Sequence, residues 1–346
     1  MLRAAWPHVR GDLASTRRDA AVFLDNLEGI CGATGRQDWV ERWTTIGDAH
    51  SLVGDVNIEN EAFNQATEAW LCALTAFEVA RRLLDDDDPK SGDVSARVER
   101  GIHKFRSQQK VSPVQISCSD QAQIPAYYLS AGQRDVRAPA VICISTEEET
   151  GAMLLGRLLP VLVGKGVSVL AVSHDDVANR WRGQANTMLS CFLDYLLVQP
   201  EVDGSRIGVY GEGLSAVLAT DFAVADHRIA AAVCDGGLWN WARTLASVAW
   251  ITTTADAMDE QIASARRSQL VRQLRCPVLV VAGGRGTVSE SEAIKLQAEC
   301  AASRINMELT MPRMVWTPVG EIENFVTSDD SVFGWLAHKL AGSSRP

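Results

Sequence analysis

The stretch Arg206-Ile-Gly-Val-Tyr-Gly-Glu-Gly-Leu-Ser-Ala-Val-Leu-Ala-Thr holds the residue types and spacing most suited to chemistry in this chain. A β-rich run enters a glycine-rich tight turn and leaves as a helix, the layout in which G-x-S-x-G enzymes present a nucleophile on a strained elbow. The rival reading is a dinucleotide fingerprint, G-x-G-x-x-G. It would need its third glycine at Ala216, a substitution such sites tolerate, and an acidic residue ending the next strand, where Asp235 stands. The turn follows several strands, whereas a fingerprint opens the first βαβ unit, so the elbow is the better reading. Ser215, in the first helical turn, is read first as a small packing residue and second as a displaced nucleophile.

Other candidates cluster at strand ends. His174, followed by Asp175 and Asp176, directly follows the apolar run Val167–Val172. A histidine beside carboxylates suits a base near neutral pH; the plain alternative is a surface-loop residue bonded to its neighbours. Glu212, beside Gly213 in the turn, is a second candidate base. Asp235 either faces the ligand or caps the following helix. Glu147–Glu149 either contact a polar substrate or form a solvated charge run. Trp181, Trp239 and Trp241 are candidates for a pocket lining under a lid, whereas Trp39 and Trp43 read as core. The six histidines are widely separated and no clustered Cys or H-x-E-x-H pattern occurs, so no metal is expected. Asp85–Asp88 lack the spacing of a calcium loop and read as a solvated turn before Pro89.

These residues must be placed by a scaffold, and the chain shows two textures. Residues 1–110 read as helices, at Asp38–Ala49, Asn57–Leu84 and Ser95–Gln109. From Val111, apolar runs at Pro113–Cys118, Ile124–Leu129, Ala138–Ile144, Val167–Val172, Arg206–Tyr210, Ile229–Cys234, Pro277–Val281 and Met307–Met311 read as strands. The first two suggest an antiparallel hairpin. Helices are expected at Gly151–Val163, Thr187–Leu197, Leu214–Ala225, Ser289–Ala302 and Ser331–Leu340. The alternation predicts an α/β fold, a mostly parallel sheet with helices on both faces, over residues 111–346. A helical stretch of about 238–273 interrupts it and reads as a lid.

Composition excludes several classes. The 346 residues are 47% hydrophobic and 22% charged, which fits a sizeable core rather than a disordered chain. The net charge of −10 disfavours nucleic acid as a partner. The N-terminus lacks the apolar stretch of a signal peptide, and Arg157 and Lys165 break the longest apolar region, so neither export nor a membrane partner is expected. The eight cysteines are scattered, without a C-x-x-C pair, and suit buried thiols in a reducing, cytoplasmic setting.

The helical N-terminal part (WVERWTTIGDAH, then EAFNQATEAWLCALTAFEVA), the hairpin and the strand order resemble FrsA-type α/β-hydrolases with a helical N-terminal cap. That group includes pseudooxynicotine hydrolase, polyketide-shortening hydrolases and, more distantly, esterase-like lyases. The resemblance implies an α/β-hydrolase domain and an oxyanion site built from backbone: the Leu214 N–H and the loop Ser145–Gly151, with Thr146 and Gly213 beside the substrate. It also implies a triad that this sequence lacks. The nucleophile position falls on Gly213. The acid position in CPVLVVAGGRGTVSESEA falls on Gly286. No histidine lies between His227 and His338, so the region Pro312–Asp330 cannot supply the base.

The expectation is therefore a non-hydrolytic lyase, isomerase or cyclase acting on a small carbonyl or polyketide-type compound in specialised metabolism. His174 or Glu212 is the base, and Leu214, Thr146, Gly213, Asp175, Asp235 and Trp239 are the binding residues. A ligand-binding protein without catalysis and an esterase using Ser215 are the alternatives. A small-molecule substrate, no cofactor and a homodimer complete the expectation.

Overall fold

The computed structural model describes residues 11–27, 33–84, 88–107, 111–118, 123–132, 137–178, 185–236, 272–282, 290–317 and 320–341. Trp181, Trp239, Trp241, Gly286 and all but the last two residues of the expected lid segment lie outside these ranges. The chain divides into two compact units. One comprises Met1–Ser112, Ala152–Lys165 and Pro312–Ser331; the other comprises Pro113–Gly151, Gly166–Met311 and Val332–Pro346.

The first unit is dominated by helices α1 (Leu13–Asp25), α2 (Ala33–Glu59), α3 (Phe63–Arg82) and α4 (Ser91–Ser107). Asp12 starts α1 by accepting the Ser15 N–H at 2.8 Å, a side-chain cap. Helix α3 runs buried from Trp70 to Ala80, as expected of a segment poor in breakers and apolar nearly all round. Trp43 is fully buried and meets Phe23 edge-on at 5.3 Å, so its reading as core holds. Asp88, the described member of the aspartate run, accepts hydrogen bonds from Lys90 N and Gln37 Nε2. In the same unit Arg157 of α5 (Gly151–Leu162) and Asp329 form a buried ion pair at 2.6 Å.

The second unit is built on an eight-stranded sheet. Its strands are β1 (Val111–Ser117), β2 (Gln123–Leu129), β3 (Ala138–Ile144), β4 (Ser168–Val172), β5 (Val202–Glu212), β6 (Ile229–Asp235), β7 (Val278–Val281) and β8 (Met307–Thr310). The spatial order is β1-β2-β4-β3-β5-β6-β7-β8. β2 pairs antiparallel with β4, and every pair from β4 to β8 is parallel. β3, β4 and β6 are buried along almost their whole length, which explains their continuous apolar runs.

Helices α6 (His174–Ala178), α7 (Ala185–Leu197), α8 (Ser215–Ala225), α9 (Glu290–Ala302) and α10 (Phe325–Leu340) complete the helices among the described residues. Both faces of β5 are covered within the second unit. Ile207 and Val209 join the core with Phe192 of α7 and Phe222 of α8. Tyr210, on the opposite face, packs on Phe333 of α10 with ring centroids 5.5 Å apart.

Several elements differ from expectation. α1 and the short α6 were not foreseen, and α2 and α10 begin well before the expected helices. Residues 314–317 and 320–323 form a two-stranded antiparallel sheet, β9 and β10, in a stretch without a foreseen element.

The sheet order places the site. Chain order reverses between β3 and β5, so the loops after them diverge and leave a crevice at their carboxyl ends, the position where open α/β sheets bind ligands. At this crevice β5 turns into α8 so closely that a Cβ on Gly211 would overlap the Ser215 carbonyl group. Backbone cannot yield as a flexible side chain does. Gly211→Ala should therefore cost about 3 kcal/mol or more, at the upper end of overpacking penalties, read as a lowered urea midpoint.

Candidate functional site

The turn at the end of β5 is shaped by its own glycines. Gly213 has φ +60, the left-handed region in which a residue with Cβ is strained. Its N–H donates to the Asp235 carbonyl at 2.7 Å, tying the turn to the end of β6. A Cβ at Gly213 would lie 3.1 Å from Glu147 Oε2 and 3.3 Å from Thr146 Cγ2. The position that carries the nucleophile in G-x-S-x-G enzymes thus has no side chain and lies under the loop after β3.

Glu147 borders that place. Its Oε2 accepts the Leu214 N–H at 3.4 Å, the backbone donor expected to face a substrate oxyanion. A carboxylate there also stands against the start of α8, where the phosphates of a dinucleotide would lie. The remaining loop amides are partly used within the fold: Ser145 N–H donates to Val172 O, Glu149 N–H to Thr146 O and Gly151 N–H to Ser173 Oγ. Thr146, half-buried, flanks Gly213.

His174 and Ser215 meet at the centre. His174 Nδ1 lies 2.7 Å from Ser215 Oγ, and Ser215 Oγ lies 2.7 Å from the Ser145 carbonyl. A serine hydroxyl has one proton, and a carbonyl can only accept. That proton goes to Ser145 O, so the imidazole must donate through Nδ1–H and keeps its lone pair on Nε2. The His174 backbone N–H donates to Ser145 Oγ at 3.1 Å, and that hydroxyl lies 2.7 Å from the Glu149 carbonyl. Three strand ends are joined through two serine hydroxyls.

Burial corrects one expectation about His174. It is no loop residue with few contacts: it opens α6, is 8% exposed and is bonded at both backbone and ring. Burial holds its imidazole below the ordinary histidine value, while the charges of Glu147 and Asp175 pull it back up. The ring is consequently neutral at pH 7 and basic at Nε2.

Glu212 and Asp235 lie deeper. Glu212 is fully buried and Asp235 is 6% exposed; Tyr210 Oη is 3.1 Å from Glu212 Oε2 and 2.9 Å from Asp235 Oδ2. The structure therefore groups His174, Ser215, Gly213, Leu214 and Thr146 at the crevice, and sets the Glu212 and Asp235 carboxyl groups beside the Tyr210 hydroxyl. Asp175, in the first turn of α6, acts on His174 through its charge. Trp239 lies outside the described residues. Sequence reasoning placed Ser145 in the backbone loop of the oxyanion site without a role for its hydroxyl, and treated Glu147 as one member of a charged run that contacts a polar substrate or is solvated. The only signal for either was position, directly after the β3 run at the point where strand order reverses. Among the described residues no group of three or more His, Cys, Asp or Glu could hold a metal ion.

A solved structure of 2,6-dihydroxy-pseudo-oxynicotine hydrolase superposes on 93% of this chain and 95% of its own, with a TM-score of 0.59 at 15% identity. The chain has the α/β-hydrolase fold. The acylaminoacyl peptidase of Pyrococcus horikoshii matches 70% of this chain and 44% of its own, with a TM-score of 0.51 at 12% identity. No family model and no curated protein matches the sequence. At these identities the likeness is one of fold. No helix among the described residues is long and apolar enough to cross a membrane.

Two outcomes follow from the hydrogen bonds. Ser215→Ala leaves the buried Nδ1–H and the Ser145 carbonyl without partners and should cost about 1–3 kcal/mol, read by urea unfolding. The second concerns pH. Folded His174 binds its proton less tightly than an unfolded histidine, so the unfolded chain takes up more protons as pH falls. This contribution is fully present above the unfolded value of 6.5 and declines as pH drops from there through the lower folded value. His50, whose pKa is also lowered by burial, adds a loss of the same sign. Between about pH 7.5 and 5.5 the urea midpoint should fall, and His174→Gln should lose less of it than the wild type.

Proposed function

We propose that this α/β-hydrolase-fold protein is a non-hydrolytic enzyme, a lyase, isomerase or cyclase that removes a proton beside the carbonyl of a small, partly apolar molecule. Polyketide-type compounds of specialised metabolism are the substrate class that the sequence resemblance suggests. His174 Nε2 is the base and the Leu214 N–H is a donor to the enolate oxygen. The observation that carries the reading is the Ser145–Ser215–His174 chain, which holds a neutral imidazole in one tautomer beside the turn. A base fixed in orientation and unprotonated at neutral pH is available to take a proton. Negative charge developing on the carbonyl oxygen is met by an amide already oriented at the turn. The reaction needs no cofactor, and no nucleic-acid or membrane partner is invoked.

The 2.7 Å contact between His174 and Ser215 also invites the esterase reading. Proton accounting opposes it. The serine proton points at the Ser145 carbonyl, Ser215 is fully buried, and the imidazole faces the serine with a donor rather than an acceptor. Hydrolysis of p-nitrophenyl acetate should accordingly be no faster with the wild type than with Ser215→Ala. Gly213→Ser should gain no activity, because no histidine lies at the family position to activate the new hydroxyl.

The direct test is deuterium incorporation at the α-carbon of small ketones and β-keto thioesters in D2O, followed by mass spectrometry. His174→Gln retains a polar group at the buried site but has no basic lone pair. It should lower exchange by a factor on the order of 10²–10⁴, the usual worth of a positioned base. Equal exchange in wild type and variant would remove His174 from this role. Absence of exchange from both would overturn the proton-transfer reading.

A further inference from the structure

Glu147 is unexplained by the proton-transfer reading, and it stands at the point that matters most. Its carboxylate bonds the Leu214 N–H at 3.4 Å and lies 3.1 Å from the place a Cβ on Gly213 would take. Its charge also acts on the His174 imidazole. One exposed side chain therefore touches the amide donor, borders the vacant nucleophile position and influences the base.

We propose that Glu147 is the specificity-determining residue of the site: its carboxylate holds the Leu214 amide in the free protein, yields it to an uncharged carbonyl oxygen, and turns away ligands that already bear a carboxylate. The proposal rests on the reading of this turn as an oxyanion site. Three properties support it. An N–H at the start of a helix favours negative charge, so an unguarded amide at the first turn of α8 would attract any small anion. Glu147 supplies that charge from within the chain. Its bond to Leu214 is long and its side chain is exposed, so exchange with a neutral oxygen costs a single weak hydrogen bond. An anionic ligand has no such exchange: it must approach with Glu147 and Asp175 close by, and like charges repel. Charge appears on the substrate oxygen only as His174 takes the proton, so the new imidazolium balances it, whereas a bound carboxylate brings its charge with no such counter-charge. The nearby carboxylate would thus discourage carboxylic acids from occupying the site.

The test compares two probes of nearly equal shape, pentan-2-one and butyrate, titrated into the full chain while the Leu214 backbone amide is followed by 15N NMR. Glu147→Gln keeps an oxygen able to accept the Leu214 N–H and removes the charge; Glu147→Ala removes both. The wild type should prefer the ketone. In both variants the ratio of butyrate to ketone affinity should rise by fivefold or more. A smaller change in either variant, or a Leu214 resonance that neither probe moves, would overturn the proposal. Glu147 is exposed, so neither substitution should unfold the chain, and an unchanged spectrum away from the turn checks this. The two readings fail separately. An unaltered affinity ratio with His174-dependent exchange intact removes only the role of Glu147. A fivefold change without exchange removes only the proton transfer.

Discussion

Ser215 has one hydroxyl proton, and the position of the Ser145 carbonyl, 2.7 Å away, determines where it goes. From that follow the donor role of His174 Nδ1, the lone pair on Nε2 and a Ser215 proton directed away from the imidazole. The same hydroxyl joins the ends of β3, β4 and β5. The geometry requires β5 to turn into α8 over Gly211 and Gly213, because only then does the first residue of the helix come against the loop after β3.

The electrostatics are arranged around a neutral base. Burial disfavours the imidazolium, and Glu147 and Asp175 oppose that shift without being hydrogen-bonded to the ring by any described contact. A histidine of this kind differs from the triad histidine of a serine hydrolase, whose orienting acid bonds the ring itself and stabilises the imidazolium. Here the orienting partner is an uncharged hydroxyl.

Much of the scaffold was legible in the sequence, and the physical reasons differ by element. β3, β4 and β6 appear as continuous apolar runs because both faces are buried, and their expected bounds differ by no more than one residue from those observed. The elbow was legible because its glycines are demanded by close backbone approach and by a positive φ. The hairpin of residues 314–317 and 320–323 was not, since two four-residue strands with mixed polarity carry little periodicity. At the site, His174 and Ser215 were individually visible as chemical residue types. Their bond was not, because residues 41 apart in sequence meet only through the order of strands. Glu147, 67 residues from Leu214, was hidden in the same way within a run of three glutamates.

The central claim is the protonation pattern of the Ser145–Ser215–His174 chain, and long-range 15N–1H correlation of the histidine rings at pH 7.5 reads it directly. The account predicts a neutral His174 with its proton on Nδ1 and a nitrogen shift typical of an unprotonated acceptor at Nε2. Ser215→Ala should then broaden or exchange the Nδ1–H resonance. A His174 ring carrying its proton on Nε2, with Nδ1 accepting from Ser215, would contradict the account and return Ser215 to the list of nucleophiles.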